Sequence, residues 1–167
     1  MVAAKTLLFL ALTAASTAAI AAEAEDTPPA PSVFVSTAAQ DGMTEIELGK
    51  LALRKSQNPQ VREFAQRMVT DHGKTNDELA ALASTKGIVA PVKLDAEHLA
   101  MVRTLESRDG AEFDTEYSRH MNMDHTKAIA LFESALKTSD ADFASFAKKT
   151  LPTLQAHQEM ATRLPGQ

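Results

Sequence analysis

Four long stretches of the chain place apolar residues three and four apart, the period of an amphipathic α-helix. The first runs from about Ser32 to Ser56 and aligns Val35, Ala38, Ala39, Gly42, Ile46, Gly49 and Leu53. This stripe is made of small residues, and Gly42 and Gly49 leave room for a neighbouring helix to come close. The second opens at Asn58-Pro59, a capping side chain followed by proline at the first helical position, and continues to about Lys86, where Gly87 stops it. Its stripe is Val61, Phe64, Ala65, Met68, His72, Thr75, Leu79, Leu82 and Ala83.

After a loop at Ile88 to Pro91, Leu94 to Leu105 reads as a short helix opened by Asp95. Asp109-Gly110-Ala111-Glu112 resembles a capping box, and a third long helix follows to about Thr138 with Phe113, Tyr117, Met121, Asp124, Ala128, Leu131 and Ala135 inward. Ser139 or Asp140 caps the fourth, which aligns Phe143, Phe146, Ala147, Thr150, Leu154, His157, Ala161 and Leu164. Pro152 lies inside it and predicts a kink. The turns before the second and fourth long helices are alike, from Lys55 to Ala65 and from Lys137 to Ala147. Two antiparallel hairpins joined by a long connection make an all-α, ferritin-like four-helix bundle, with a short extra helix in the connection and the second and third long helices parallel.

Composition narrows this picture. There is no Cys, which excludes disulfides, Cys-ligated iron–sulfur clusters and covalently attached haem, so a metal would need His, Asp, Glu or Met. A net charge of −5 without a Lys/Arg cluster gives no footprint for nucleic acid. Lys5, the apolar run Thr6 to Ala19, and the Ala-x-Ala sites at 19–21 or 22–24 form an export signal, taken as residues 1–22. Residues 23–31 are an acidic, Pro-rich linker, and residues 32–164 are the bundle domain. No later stretch is apolar enough to cross a bilayer, which makes the periplasm the expected compartment.

The candidate chemistry lies on the inner stripes. The pattern Met-x-x-Asp-His-x-Lys occurs twice, at Met68 to Lys74 and at Met121 to Lys127. At 100° per residue, His72 falls roughly 25° from the centre of its stripe and Asp71 roughly 75° away. The second copy reverses this order, with Asp124 near the centre and His125 roughly 80° off. His157 is inward on the fourth long helix, and Glu45 is on the flank of the first. Polar groups from every helix at one height are how carboxylate–histidine metal sites are built in bundles, and imidazole with carboxylate suits copper, zinc, iron or manganese. The alternative is one structural hydrogen-bond network among Tyr117, Asp124, His72 and His157. The Glu-x-x-His signature of di-iron bundles is absent; Asp95-x-x-His98 only approximates it. Met121 with His125, and His120 with Asp124, share helix faces and would also suit copper. No nucleophile elbow or phosphate loop is present.

Four segments in order carry a family resemblance: Gln40 to Gly49, Phe64 to His72, Met121-x-x-Asp124-His125, and Thr150-Leu151-Pro152-Thr153-Leu154-x-x-His157. They resemble a secreted bacterial family catalogued as domain of unknown function 4142, over about Val33 to Leu164. The resemblance implies a ferritin-like bundle and brings no activity with it. Its members are often labelled outer-membrane proteins, yet this sequence has no barrel-type alternating strands. Secreted helical families rich in His and Met add an analogy toward copper.

The expectation is therefore an exported, non-enzymatic bundle of unknown biochemical role, with His72, Asp124, His157, Glu45, His125 and Asp71 as the candidate ligands should it hold a transition metal. A structural or partner-binding cell-envelope protein is the first alternative, and a metal-dependent redox enzyme is the second. The sequence names neither a protein partner nor an oligomeric state.

Overall fold

The computed structural model describes residues 27–166; the predicted export signal and residues 23–26 of the acidic linker lie outside the described residues. Five helices account for the fold, with no strand among the described residues: α1 (Pro31–Lys55), α2 (Pro59–Thr85), α3 (Ala96–Glu106), α4 (Gly110–Ala135) and α5 (Ala141–Ala161). No helix is long and apolar enough to cross a membrane. The four long helices form the bundle, and α3 is the short helix in the connection.

Local chemistry sets the ends. The Asn58 side chain accepts from the amides of Gln60 and Val61 ahead of α2, and Asp140 does the same for Asp142 and Phe143 ahead of α5. Asp95 caps α3 by accepting from His98 N. The capping box expected at Asp109 does not form, because Asp109 makes no side-chain cap bond and instead receives Lys55 Nζ at 2.8 Å. Lys55 also donates to the carbonyls of Glu106 and Arg108, which ties the α3–α4 turn to the end of α1. Gly87, at φ 70°, takes the left-handed conformation that ends α2. The helix α5 continues through Pro152, which sits on its exposed side, where water can replace the donor that proline lacks.

The helix directions follow from the pairs that meet. Gly42 lies against Asn76 and Gly49 against Ala65, so α1 and α2 are antiparallel. Phe34 meets Phe132 and Glu45 meets His125, so α1 and α4 are antiparallel too. Asp71 pairs with His157 and Glu78 with Lys149, which makes α5 antiparallel to α2. The parallel pairs are thus α2 with α4, as expected, and α1 with α5. Gly49 is a point of close backbone approach between the first two helices. A Cβ there would fall 3.0 Å from the Ala65 carbonyl oxygen and 3.0 Å from Val69 Cγ2.

The apolar interior is divided in two. One cluster gathers Phe34, Val35, Leu79, Phe132, Phe143, Phe146 and Leu154. The other gathers Leu48, Leu51, Phe64, Met68, Phe113, Tyr117 and Met121. Each long helix passes from one cluster to the other, and each contributes a buried ionisable side chain between them: Glu45, His72, His125 and His157. The phases expected for α2 and α5 match their buried residues. The stripe on α1 is broader than expected, with Thr44, Glu45, Leu48, Leu51 and Ala52 buried, because α3 covers α1 beside α2 and α4.

The α4 phase is a correction. Asp124 was expected inward and His125 on the flank, but His125 is fully buried and Asp124 is only partly so. The buried residues of α4 include Ser118 and Phe132, with Leu131 only partly covered, which turns the stripe centre. Asp124 and His125 then lie at similar angles, each about 50° from the centre on opposite sides. The imidazole takes the interior position, where a buried carboxylate on α1 meets it. The Asp124 carboxylate turns outward to His120 Nε2 at 2.7 Å.

Candidate metal centre

Glu45 is the hub of the polar layer. Its Oε2 lies 2.9 Å from His72 Nε2, and its Oε1 lies 3.2 Å from His125 Nδ1. Burial by itself would raise this carboxyl. The imidazoles of His125 and His72, the second in close contact with the carboxylate, and the more distant His157 outweigh that effect and hold it down to about 2. Burial likewise works against a charge on His72, but Glu45 overrides it and raises His72 above the ordinary imidazole range. His157 goes the other way, lowered to about 4: burial depresses it, Asp71 pulls it back up through a hydrogen bond, and His72 and His125 depress it further.

The three imidazoles form one group. A ring nitrogen from each of His72, His125 and His157 lies within 4.8 Å of the other two. The ring centroids are 5.6, 5.3 and 5.3 Å apart. Phe64 presents an edge-on face to both His125 and His157 and forms an apolar floor.

Two of these rings are held from behind. His125 Nδ1 donates to the Met121 carbonyl at 2.8 Å, one turn back along α4. His157 Nε2 donates to Asp71 Oδ2 at 2.9 Å, across the α2–α5 contact. Each bond selects a tautomer and leaves the other nitrogen with a bare lone pair. Those nitrogens, His125 Nε2 and His157 Nδ1, are buried and have no hydrogen-bond partner. His72 Nε2 and Glu45 Oε1 also lack a partner of hydrogen-bond geometry, although Glu45 Oε2 lies close to the first and His125 Nδ1 close to the second.

Buried polar atoms of this kind carry a desolvation cost of about 1–3 kcal/mol each. Three imidazole nitrogens within 4.8 Å of one another, with the Glu45 carboxylate against His72 and His125, match the donor set of a divalent transition ion. Tetrahedral coordination with bonds of about 2.0–2.1 Å requires ligand nitrogens about 3.4 Å apart, inside the 4.8 Å within which the three nitrogens lie. A divalent ion would be neutralised by Glu45 and, through His157, by Asp71.

The six expected site residues therefore separate. His72, His125 and His157 converge, and Glu45 lies against His72 and His125. Asp71 stands behind His157 and anchors that ring. Asp124 lies outside the group with His120. The expected network also changes, because the Tyr117 hydroxyl, buried and pushed well above the ordinary phenol range by burial and by Glu45, has no hydrogen-bond partner.

Cavities around the site differ in size. A cleft of about 570 Å³ between α3 and α4 is lined by residues that include Met101, Arg108, Arg119 and His120, and it does not reach the three inner imidazoles. A cavity of about 20 Å³ touches Glu45 and His72 together with Asp41, Thr75 and Asn76.

The fold has known relatives. A DUF305 fragment from Deinococcus radiodurans superposes with a TM-score of 0.70 at 18% identity, covering 81% of this chain and 95% of that one. CopM in its Cu(II)-bound form superposes at 0.69 with 15% identity, covering 82% and 96%, and CopM in its Cu(I)-bound form is also similar. A conserved hypothetical protein from Mycobacterium tuberculosis, rv2844, superposes at 0.63 with 16% identity, covering 80% and 95%. At such identities the likeness shows a shared helical-bundle fold. No curated protein matches the chain in sequence. A family profile matches residues 14–164, nearly the whole chain, and by it the protein belongs to the domain of unknown function family DUF4142.

Proposed function

We propose that this protein is an exported metal-binding protein that holds one divalent transition ion, copper foremost, between His72, His125, His157 and Glu45. The observation that carries the reading is the convergence of three buried imidazoles beside a buried carboxylate that meets two of them, with two of the rings fixed in tautomers that leave a bare nitrogen. Copper leads for two reasons. Among divalent first-row ions it binds nitrogen and oxygen donors most tightly. The similar bundle of CopM is known in copper-bound forms. Zinc, iron and manganese are the remaining candidates.

Carriage or buffering of the ion fits the site better than turnover. The imidazoles are sealed from solvent, and the cavity beside them has room for about one water. Export rests on Lys5, the apolar run after it and the small residues that follow.

A specific observation also favours a structural network: the Asp71–His157 and Glu45–His72 contacts already pair two of the rings. Calorimetric titration of Cu(II), Zn(II), Fe(II) and Mn(II) into the metal-free protein separates the two. Metal binding predicts one ion per chain, lost when His72, His125 or His157 is replaced. The network predicts no stoichiometric binding and only a loss of stability in those variants. Cell fractionation tests export, with a cytoplasmic, uncleaved chain as the contrary result.

A further inference from the structure

A sealed site needs a route by which its ion arrives. Asp41 sits at such a place on α1. On its inner side it borders the cavity of about 20 Å³ that also touches Glu45 and His72. That volume accommodates one water-sized body. On its outer side Asp41 Oδ1 stands 3.3 Å from Nε2 of His98, on α3. The other nitrogen of His98 is 2.7 Å from Asp95 Oδ1. Both Asp41 and His98 are partly open to solvent.

The placement is held by more than the pair itself. The Gln40 side chain donates to the Lys93 carbonyl at 3.1 Å and accepts from Asp95 N at 3.1 Å, which clamps the start of α3 to α1. A nitrogen–oxygen separation of 3.3 Å is also close to the edge of a coordination shell with bonds of about 2.0–2.2 Å, so the two side chains could grasp one ion with little movement.

We propose that Asp41 and His98 form an outer metal-acquiring site that captures the ion at the surface and passes it through the small cavity to Glu45 and His72. This rests on the inner centre proposed above. Asp41 supplies negative charge along the path, and His98 Nε2 releases its proton to water as the ion takes that proton's place between the ring and Asp41. The ion then moves from a two-ligand site open to water to a four-ligand site closed to it, so transfer runs inward.

The test is stopped-flow loading of the full-length chain with Cu(II). Wild type is compared with His98→Ala, His98→Gln, Asp41→Asn and, as the competing route, Asp71→Asn. Circular dichroism checks that each variant is folded. The His98 and Asp41 variants should load about tenfold more slowly, with the final stoichiometry unchanged and the His98 variants keeping their affinity within about threefold. Loading of both at the wild-type rate overturns the proposal, as does slowing by Asp71→Asn alone, which puts the intake at the α2–α5 face. Failure of wild type to bind copper at all removes the inner centre and the intake together, and is thereby distinguishable from a centre that fills by another route.

Discussion

Glu45 Oε2 and His72 Nε2 face each other 2.9 Å apart across the α1–α2 contact, with both side chains closed to solvent. A buried carboxylate in this setting is stable only while its partners remain. Glu45→Ala should destabilise the metal-free protein by about 3–5 kcal/mol, because it leaves polarised imidazoles without their counter-charge. Glu45→Leu combined with His72→Leu should recover part of that loss. A double-mutant cycle in urea measures the coupling, and strictly additive effects would contradict it.

Neighbouring residues on α4 should behave differently. His125 is inside the group, while Asp124 is paired outward with His120. His125→Ala should weaken copper binding about 100-fold or more, and Asp124→Asn should change it only about threefold. Competition with a chromogenic chelator reads both, and equal effects would return Asp124 to the site.

Acid should destabilise the metal-free protein in two stages. His157 titrates at about 4 in the folded chain against 6.5 when free, so the unfolded chain takes up that proton first. Stability should fall by on the order of 3 kcal/mol as pH drops from about 6.5 to 4. Glu45, held at about 2 against 4.5, adds a similar loss between about 4.5 and 2. His72 has the opposite sign: its raised value gives a contribution that is complete below pH 6.5 and lost as pH rises through the folded value. Denaturant curves at pH 7, 5.5 and 4 measure the first stage, and a flat profile there contradicts the assignment for His157.

Two glycines make a matched pair. Nothing lies within 4 Å of a Cβ added at Gly73, so Gly73→Ala should stabilise α2 by about 0.5–1 kcal/mol. At Gly49 the added carbon meets the Ala65 backbone at 3.0 Å, and Gly49→Ala should cost about 1–3 kcal/mol despite its better helix propensity. Thermal melts of both variants check the signs.

The helices were legible because each carries a strong period and good caps, as at Asn58-Pro59 and Asp140. His72 and His157 were legible for the same reason, since both lie on unambiguous stripes. His125 was misplaced because Leu131 and Phe132 are adjacent and either can mark the core. Choosing Phe132 moves the stripe centre midway between Asp124 and His125, and tertiary pairing with Glu45 then decides. Asp109 failed as a capping residue because Lys55, 54 residues earlier in the chain, claims its carboxylate. Contacts across that separation leave no local periodic signal. The repeated Asp-His motif does carry one: in both copies the His enters the interior, while Asp71 supports a ring of the inner group and Asp124 pairs outward with His120.

The centre itself is tested most directly by X-ray absorption spectroscopy of the copper-loaded, full-length protein. Three imidazoles and one oxygen donor, with nitrogens at about 2.0 Å, are the expected shell. Coordination by sulfur, coordination by a single imidazole, or copper that does not stay with the protein through gel filtration would each contradict a site made by His72, His125, His157 and Glu45.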